Sequence, residues 1–281
     1  MLYSKKSIYS TAIIAFTILA YFSIGLFPKL YRKYSLYSLL NSQNCDIDYI
    51  KSIPDNFSVI AGHIYGSPFS KNDFINKKIE SFLVRYKNNI NNVFLTGDIF
   101  AIPTKEKWEK LITLLQEDSK IFIAPGNHDV GSKDHRDLFI RLPLITTEYP
   151  HTINTDKFKI IVEDSTINNW ALNDSTLKLI NNYSSHESIL LLRHNIIAKE
   201  FLVLANSQAG LKGELESIQS LSKKINNPLT IISGDGGAFK KLPRFFCMKK
   251  EGITFLVNGL GDLPGDIIIL ISNNKIYKYK L

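Results

Sequence analysis

The chain reads as an α/β protein with a mixed sheet system and a single N-terminal membrane helix. Three observations point there. Short β-branched runs alternate with longer helical patterns through the middle of the chain, the final strands follow one another without helices between them, and an uncharged apolar stretch lies near the N-terminus.

The apolar stretch comes first. Residues 7–28 carry no charged side chain, and IYSTAIIAFTILAYFSIGLF is close to the ~20 apolar residues that cross a bilayer as a helix. A single-pass membrane protein is the expectation. A cleavable signal peptide would want a shorter apolar centre and a small-x-small cleavage site, which SIGLFPKLYRKY does not supply. A buried core helix fits less well with so uniform a run at the extreme terminus. Lys5 and Lys6 precede the stretch and Lys29, Arg32 and Lys33 follow it, so charge leaves the orientation open. The division expected is an anchor over 1–34, a linker over 35–56 broken by Pro54, and a globular domain over 57–281.

Within that domain, FSVIA, NNVFLT, KIFIA, FKIIVE, SILLL and LTIIS read as buried strands. Between the first two, Ile75, Ile79, Phe82, Leu83 and Tyr86 recur at helical spacing, as do Trp108, Leu111, Ile112 and Leu115 after Thr104. Strand, helix, strand, helix, strand is the pattern of parallel units. GITFLV, DIIILIS and KIYKYKL then follow as strands, with Asn273-Asn274 offering a hairpin turn.

Composition narrows the classes. The formal charge of +8 comes from lysines scattered among Ile and Asn, with no aromatic-interleaved basic stripe, so nucleic acid is not an expected partner. The two cysteines, Cys45 and Cys247, are far apart and in no paired-ligand spacing. That excludes a disulfide framework and a thiolate zinc site but leaves one bridge open.

Polar residues gather just beyond strand ends, where an open α/β sheet collects its ligands. His63 follows the first strand, Gly97-Asp98 follows VFLT, GNHD at 126–129 follows IFIA, His194 follows ILLLR, and GDGG at 234–237 follows LTIIS. Turn chemistry accounts for Gly-Asp alone. It does not account for His and Asn side by side in PGNHD, nor for five successive strand ends carrying Asp, Asn or His.

In order and spacing the set resembles the calcineurin-like metallophosphoesterase superfamily, whose pattern is D-x-H, G-D, G-N-H-D/E, a lone His, and G-H-x-H. The resemblance covers the chain from about Phe57 onward. It implies a four-layer αββα sandwich with two divalent metals that activate water against a phosphate ester. One metal of the family takes positions that here read Ala61, His63, Asp98 and Gly237, so half of its ligands are missing. The other takes positions that read Asp98, Asn127, His194 and Asp235, all able to coordinate. The resemblance therefore implies one metal per chain on those four residues. Its oxygen-rich donors favour Mn²⁺, with Mg²⁺ or Fe²⁺ as alternatives.

The same resemblance gives His128 the role of stabilising charge or protonating the leaving oxygen. It gives His63 a hydrogen bond to the phosphate, and Asp129 the bracing of that loop. Gly236 and Gly237 are expected to leave room for a larger substrate group. Arg193 reads as a solvated charge or a phosphate clamp, while His135, His151 and His186 read as surface residues. The functional expectation is a membrane-anchored, metal-dependent phosphoesterase of a phosphate mono- or diester, with a lipid-linked or envelope glycan intermediate as one candidate. The alternatives are a catalytically inactive scaffold on the same fold, which the Ala61 and Gly237 positions favour, and a hydrolase of another class using the same cleft.

Overall fold

Alternation along the strands decides which way each layer faces. The computed structural model describes residues 45, 47–115, 119–143, 148–167, 171–182, 188–197, 228–238 and 245–281. In chain order these form β1 (Asp48–Tyr49), β2 (Phe57–Ala61), α1 (Lys77–Arg85), β3 (Ile90–Leu95), α2 (Lys105–Leu115), β4 (Lys120–Ile123), α3 (Asn127–Val130), α4 (Lys133–Phe139) and β5 (His151–Asn154). They continue with β6 (Phe158–Val162), α5 (Asp174–Asn181), β7 (Ser188–Arg193), β8 (Leu229–Ser233), β9 (Phe246–Lys250), β10 (Ile253–Val257), β11 (Ile267–Ser272) and β12 (Lys275–Lys280). The expected span at 7–28 lies outside the described residues. Among those described, no helix is long and apolar enough to cross a membrane.

Two six-stranded mixed sheets result, with orders β1-β12-β11-β2-β3-β4 and β5-β6-β7-β8-β10-β9. In the first, β2, β3 and β4 run parallel and their crossovers carry α1 and α2. Val59, Ala61, Val93 and Leu95 face those helices, meeting Ile79, Phe82 and Leu83 of α1 and Trp108, Leu111 and Ile112 of α2. The intervening residues, Ile60 and Phe94, turn to the opposite face and join Ile160, Leu190, Leu192, Ile232 and Leu256 of the second sheet. Period-two alternation thus builds a helix layer, a sheet and a second sheet around two apolar seams.

Helix α1 starts where the Asn76 side chain accepts a hydrogen bond from the Lys78 amide at 2.9 Å, satisfying one of the free donors of its first turn. The expected hairpin forms: Asn273 and Asn274 both adopt left-handed φ, +48° and +59°, as a two-residue turn between β11 and β12 requires.

Three strands had no apolar run to announce them: β1, β5 and β9. Each lies at a sheet edge, and HTIN of β5 is only half-buried along its length. An edge strand is not enclosed by paired neighbours, so its residues need not form a continuous apolar run.

The one possible bridge is made. Cys45 and Cys247 are disulfide-bonded with their Cα atoms 5.8 Å apart. The bond ties the segment leading into edge strand β1 of the first sheet to edge strand β9 of the second. The main-chain pairing of β1 with β12 adds a second tether within residues 45–50.

Candidate metal centre

Every candidate side chain sits just beyond the carboxyl end of a parallel strand. His63 follows β2, Asp98 follows β3, Asn127 opens α3 after β4, His194 follows β7 and Asp235 follows β8. Because both sheets present these ends on the same side, five side chains from distant parts of the sequence converge.

Asp98 is the hub. Its Oδ2 lies 3.5 Å from His63 Nε2 and its Oδ1 lies 3.5 Å from His194 Nε2. His194 Nε2 is in turn 3.2 Å from Asn127 Oδ1 and 3.8 Å from Asp235 Oδ1. Ligating atoms of His63, Asp98 and Asp235 all lie within 4.8 Å of one another, a spacing that could hold a metal ion. Asp98 and His194 are buried, and Asp235 is partly open.

Glycines make this approach sterically feasible. A Cβ at Gly97 would fall 2.4 Å from the His194 ring, and one at Gly126 would fall 2.2 Å from Asp98 Oδ1. Asp98 itself and His63 are held at φ of +53° and +51°. For residues other than glycine that region costs on the order of 1–3 kcal/mol and concentrates at functional sites. Asp129 stabilises the strained turn. Its carboxylate accepts from the amides of Asp98 (2.8 Å), Ile99 (3.0 Å) and Gly126 (2.9 Å), locking the loop after β3 to the loop after β4.

The two buried imidazoles share a tautomer. His63 Nδ1 donates to the Gly66 carbonyl at 2.5 Å and His194 Nδ1 donates to that of Thr96 at 3.1 Å. The neutral His63 ring is then left with its Nε2 lone pair beside Asp98, the second-sphere arrangement that orients metal-binding histidines. Burial, against the attraction of Asp98, lowers His63 to about 4, so it is neutral at physiological pH. The phosphate hydrogen bond expected of His63 is therefore unavailable from Nε2. The geometry makes His63 a ligand candidate.

Burial pushes the Asp235 carboxyl up to about 7, with a further contribution from Asp98. Burial also lowers the proton affinity of His194, but Asp98 and Asp235 outweigh it and the net shift is upward. Carboxylates crowded with imidazole nitrogens in this way fit a divalent cation, whose charge would favour the ionised acids and the neutral rings together. Oxygen and imidazole donors suit such a cation without selecting one metal.

His128 stands apart from the cluster. Its backbone amide donates to Asp98 Oδ1 at 3.1 Å, while its half-buried ring donates from Nδ1 to the Ala101 carbonyl at 2.9 Å. Tyr65 packs against both His63 and His128, with ring centroids 4.5 and 5.4 Å away. Sequence reasoning passed over Tyr65. Its signal was a bulky aromatic beside a histidine in the glycine-flanked turn GHIYG.

Two expectations are corrected. Gly237 leaves no space for substrate, because a Cβ there would meet the Leu260 carbonyl at 2.3 Å and the His63 ring at 2.4 Å. Arg193 is neither solvated nor available to phosphate: it is fully buried and paired with Glu163 at 3.3 Å. Of the other histidines, His135 and His151 are half-buried and away from the cluster, and His186 lies outside the described residues.

The fold and the cluster together define a two-sheet α/β sandwich with His and Asp side chains gathered at its strand ends in a group that could hold a metal ion. Among solved structures the chain is similar to the phosphopantetheinyl hydrolase PptH from Mycobacterium tuberculosis, at 11% identity and a TM-score of 0.45, over 74% of this chain and 90% of that one. It is also similar to a double mutant of Vps29 from Entamoeba histolytica, at 16% identity and a TM-score of 0.39, over 80% and 92% of the two chains. No protein-family model and no curated protein matches the sequence.

Proposed function

We propose that the chain is a metal-dependent phosphoesterase that uses one divalent cation, anchored to a membrane by residues 7–28. The observation that carries the reading is the group of His63, Asp98 and Asp235, whose ligating atoms lie within 4.8 Å of one another, with His194 and Asn127 adjoining it and His128 beside it. Those five residues would hold the cation. When bound, it would supply Lewis-acid polarisation of the phosphoryl oxygen and acidify a water. Ala61 lies in the apolar seam against the helices, and His63 fills the space beside Gly237, which favours one cation over two.

The chain's own residues do the rest. Asn127 and Asp235 are the least buried members of the cluster and form its open side, where a phosphate ester would dock. The Ala101 carbonyl holds the His128 ring by Nδ1–H, so that Nε2–H of the imidazolium would protonate the ester oxygen as its bond to phosphorus breaks, while water oxygen bonds to phosphorus and gives its proton to solvent. Tyr65 keeps that ring in place by contact. The substrate proposed is a phosphate mono- or diester, with a lipid-linked or envelope glycan intermediate consistent with a membrane anchor.

The disulfide supports a side for the domain. Such bonds persist in oxidising compartments and are rare in reducing ones, which supports the reading that the domain faces the oxidising side of its membrane. A second reading, a scaffold that binds without turnover, is favoured by Ala61 and Gly237 replacing ligands of the resembled pattern. Full-length protein in a neutral detergent, assayed on a panel of phosphate mono- and diesters with Mn²⁺ or with EDTA, separates the two. Turnover that requires Mn²⁺ and disappears in Asp98→Asn is expected. An inert protein that nevertheless retains Mn²⁺ would favour the scaffold.

A further inference from the structure

A cavity of about 660 Å³ opens at the end of the sandwich away from the candidate metal residues. It lies between the sheets, where Phe158, Ser188 and Thr230 begin or nearly begin β6, β7 and β8, and it is closed by the β11–β12 turn at Asn274. His194 and Asp235 follow the opposite ends of β7 and β8.

The cavity has two chemical zones. Ile47, Phe158, Leu256 and Ile276 give it an apolar floor continuous with the seam between the sheets. Lys157, Lys249 and Lys275, all exposed, stand on its rim against the single carboxylate of Asp48. An apolar floor below a cationic rim matches an amphiphilic anion, because a small inorganic anion would use the lysines and leave the floor wet.

The position of the chain selects the source of that anion. Cys45 lines the same cavity and is fastened there by the disulfide. The uncharged apolar stretch of residues 7–28 ends fewer than twenty residues before it. If that stretch spans a bilayer, the intervening residues keep Cys45 within about 60 Å of the lipid surface, the most an extended chain of that length can reach. On a leaflet that carries anionic lipid, each basic side chain near the surface adds about five-fold in affinity.

We propose that this cavity is a binding site for an anionic phospholipid of the host membrane, with the phosphate among Lys157, Lys249 and Lys275 and the first acyl carbons on the apolar floor. The site shares the membrane with the functional reading but is independent of the catalysis. It would orient the domain with its metal cluster facing away from the bilayer surface.

The test uses full-length protein in a neutral maltoside detergent, titrated by calorimetry with dioctanoyl phosphatidylglycerol, dioctanoyl phosphatidylcholine and inorganic phosphate. Saturable one-to-one binding of the glycerol lipid alone is expected. Lys157→Glu with Lys275→Glu should weaken it on the order of ten-fold or more, and Thr254→Trp, which fills the cavity from a half-buried strand position, should abolish it with the lysines intact. Both variants should keep their Mn²⁺ content and any hydrolytic activity. Equal binding of the choline lipid, or binding unchanged in both variants, would overturn the site. Binding of inorganic phosphate with the same lysine dependence would overturn its assignment to lipid.

Discussion

His63 and His194 each commit Nδ1–H to a backbone carbonyl, and the nitrogen left over points at Asp98. That arrangement fixes how cation binding depends on pH. Asp235, raised to about 7 by burial, carries below that pH a proton that a divalent cation must displace, and Asp98 and Asp235 shift His194 in the same direction against its burial. Below about pH 7 the proton competes, so Mn²⁺ affinity should rise by at least about ten-fold from pH 6 to pH 7 and level off above it. Electron paramagnetic resonance of free Mn²⁺ at pH 6, 7 and 8 reads this directly. A flat profile would remove Asp235 from the ligand set, and Asp235→Asn should be weaker and flatter. His128→Ala has a different signature: turnover on a phosphate ester should fall by a factor on the order of 10²–10⁴ with Mn²⁺ content intact. Unchanged turnover would leave His128 without a chemical role. The position of His128 beside the cluster was legible because GNHD follows a strand. The His63 geometry was not, because no sequence pattern records which ring nitrogen a carbonyl will claim.

The strand-end loops depend on one another, and Asp129 carries most of that dependence. Removing its carboxylate would orphan three buried amides at about 1–3 kcal/mol each and release the left-handed turn at Asp98. Asp129→Ala should therefore unfold at a clearly lower urea concentration and bind Mn²⁺ poorly, even though Asp129 touches no cation. Wild-type affinity in a destabilised Asp129→Ala would show that the Asp98 turn holds itself. Between the sheets the strongest single tether is the disulfide. It closes a loop of 202 residues, for which chain entropy gives about 5 kcal/mol, so Cys45→Ser with Cys247→Ser should lose several kcal/mol in the same titration. Loss of under 1 kcal/mol would mean that β1 pairing alone fastens that edge. Buried strands such as FSVIA and LTIIS were readable from their apolar runs. The edge strands β1, β5 and β9, and the bridge that ties two of their edges together, were not, because two cysteines without spacing carry no partner information.

Taken entire, the molecule sets one cluster at the carboxyl ends of two sheets, and the parallel strands with their crossover helices are what bring residues 63 and 235 together. Order along the chain made that legible: each chemical residue followed an apolar run, and the sheet orders were the natural consequence of parallel units. What order could not convey was occupancy of space. Gly237 looked like room for substrate, yet the His63 ring lies there, so restoring the missing ligands should fail. Ala61→Asp with Gly237→His should place a carboxylate in the apolar seam and an imidazole onto His63, costing stability without adding a metal. The most direct measurement is the metal content of full-length protein dialysed against Mn²⁺, determined by mass spectrometry beside Asp235→Ala. One tightly held ion per chain, released by Asp235→Ala, is the expected result. Two ions in the unmodified protein, or none in either, would contradict a single-cation centre built on Asp98.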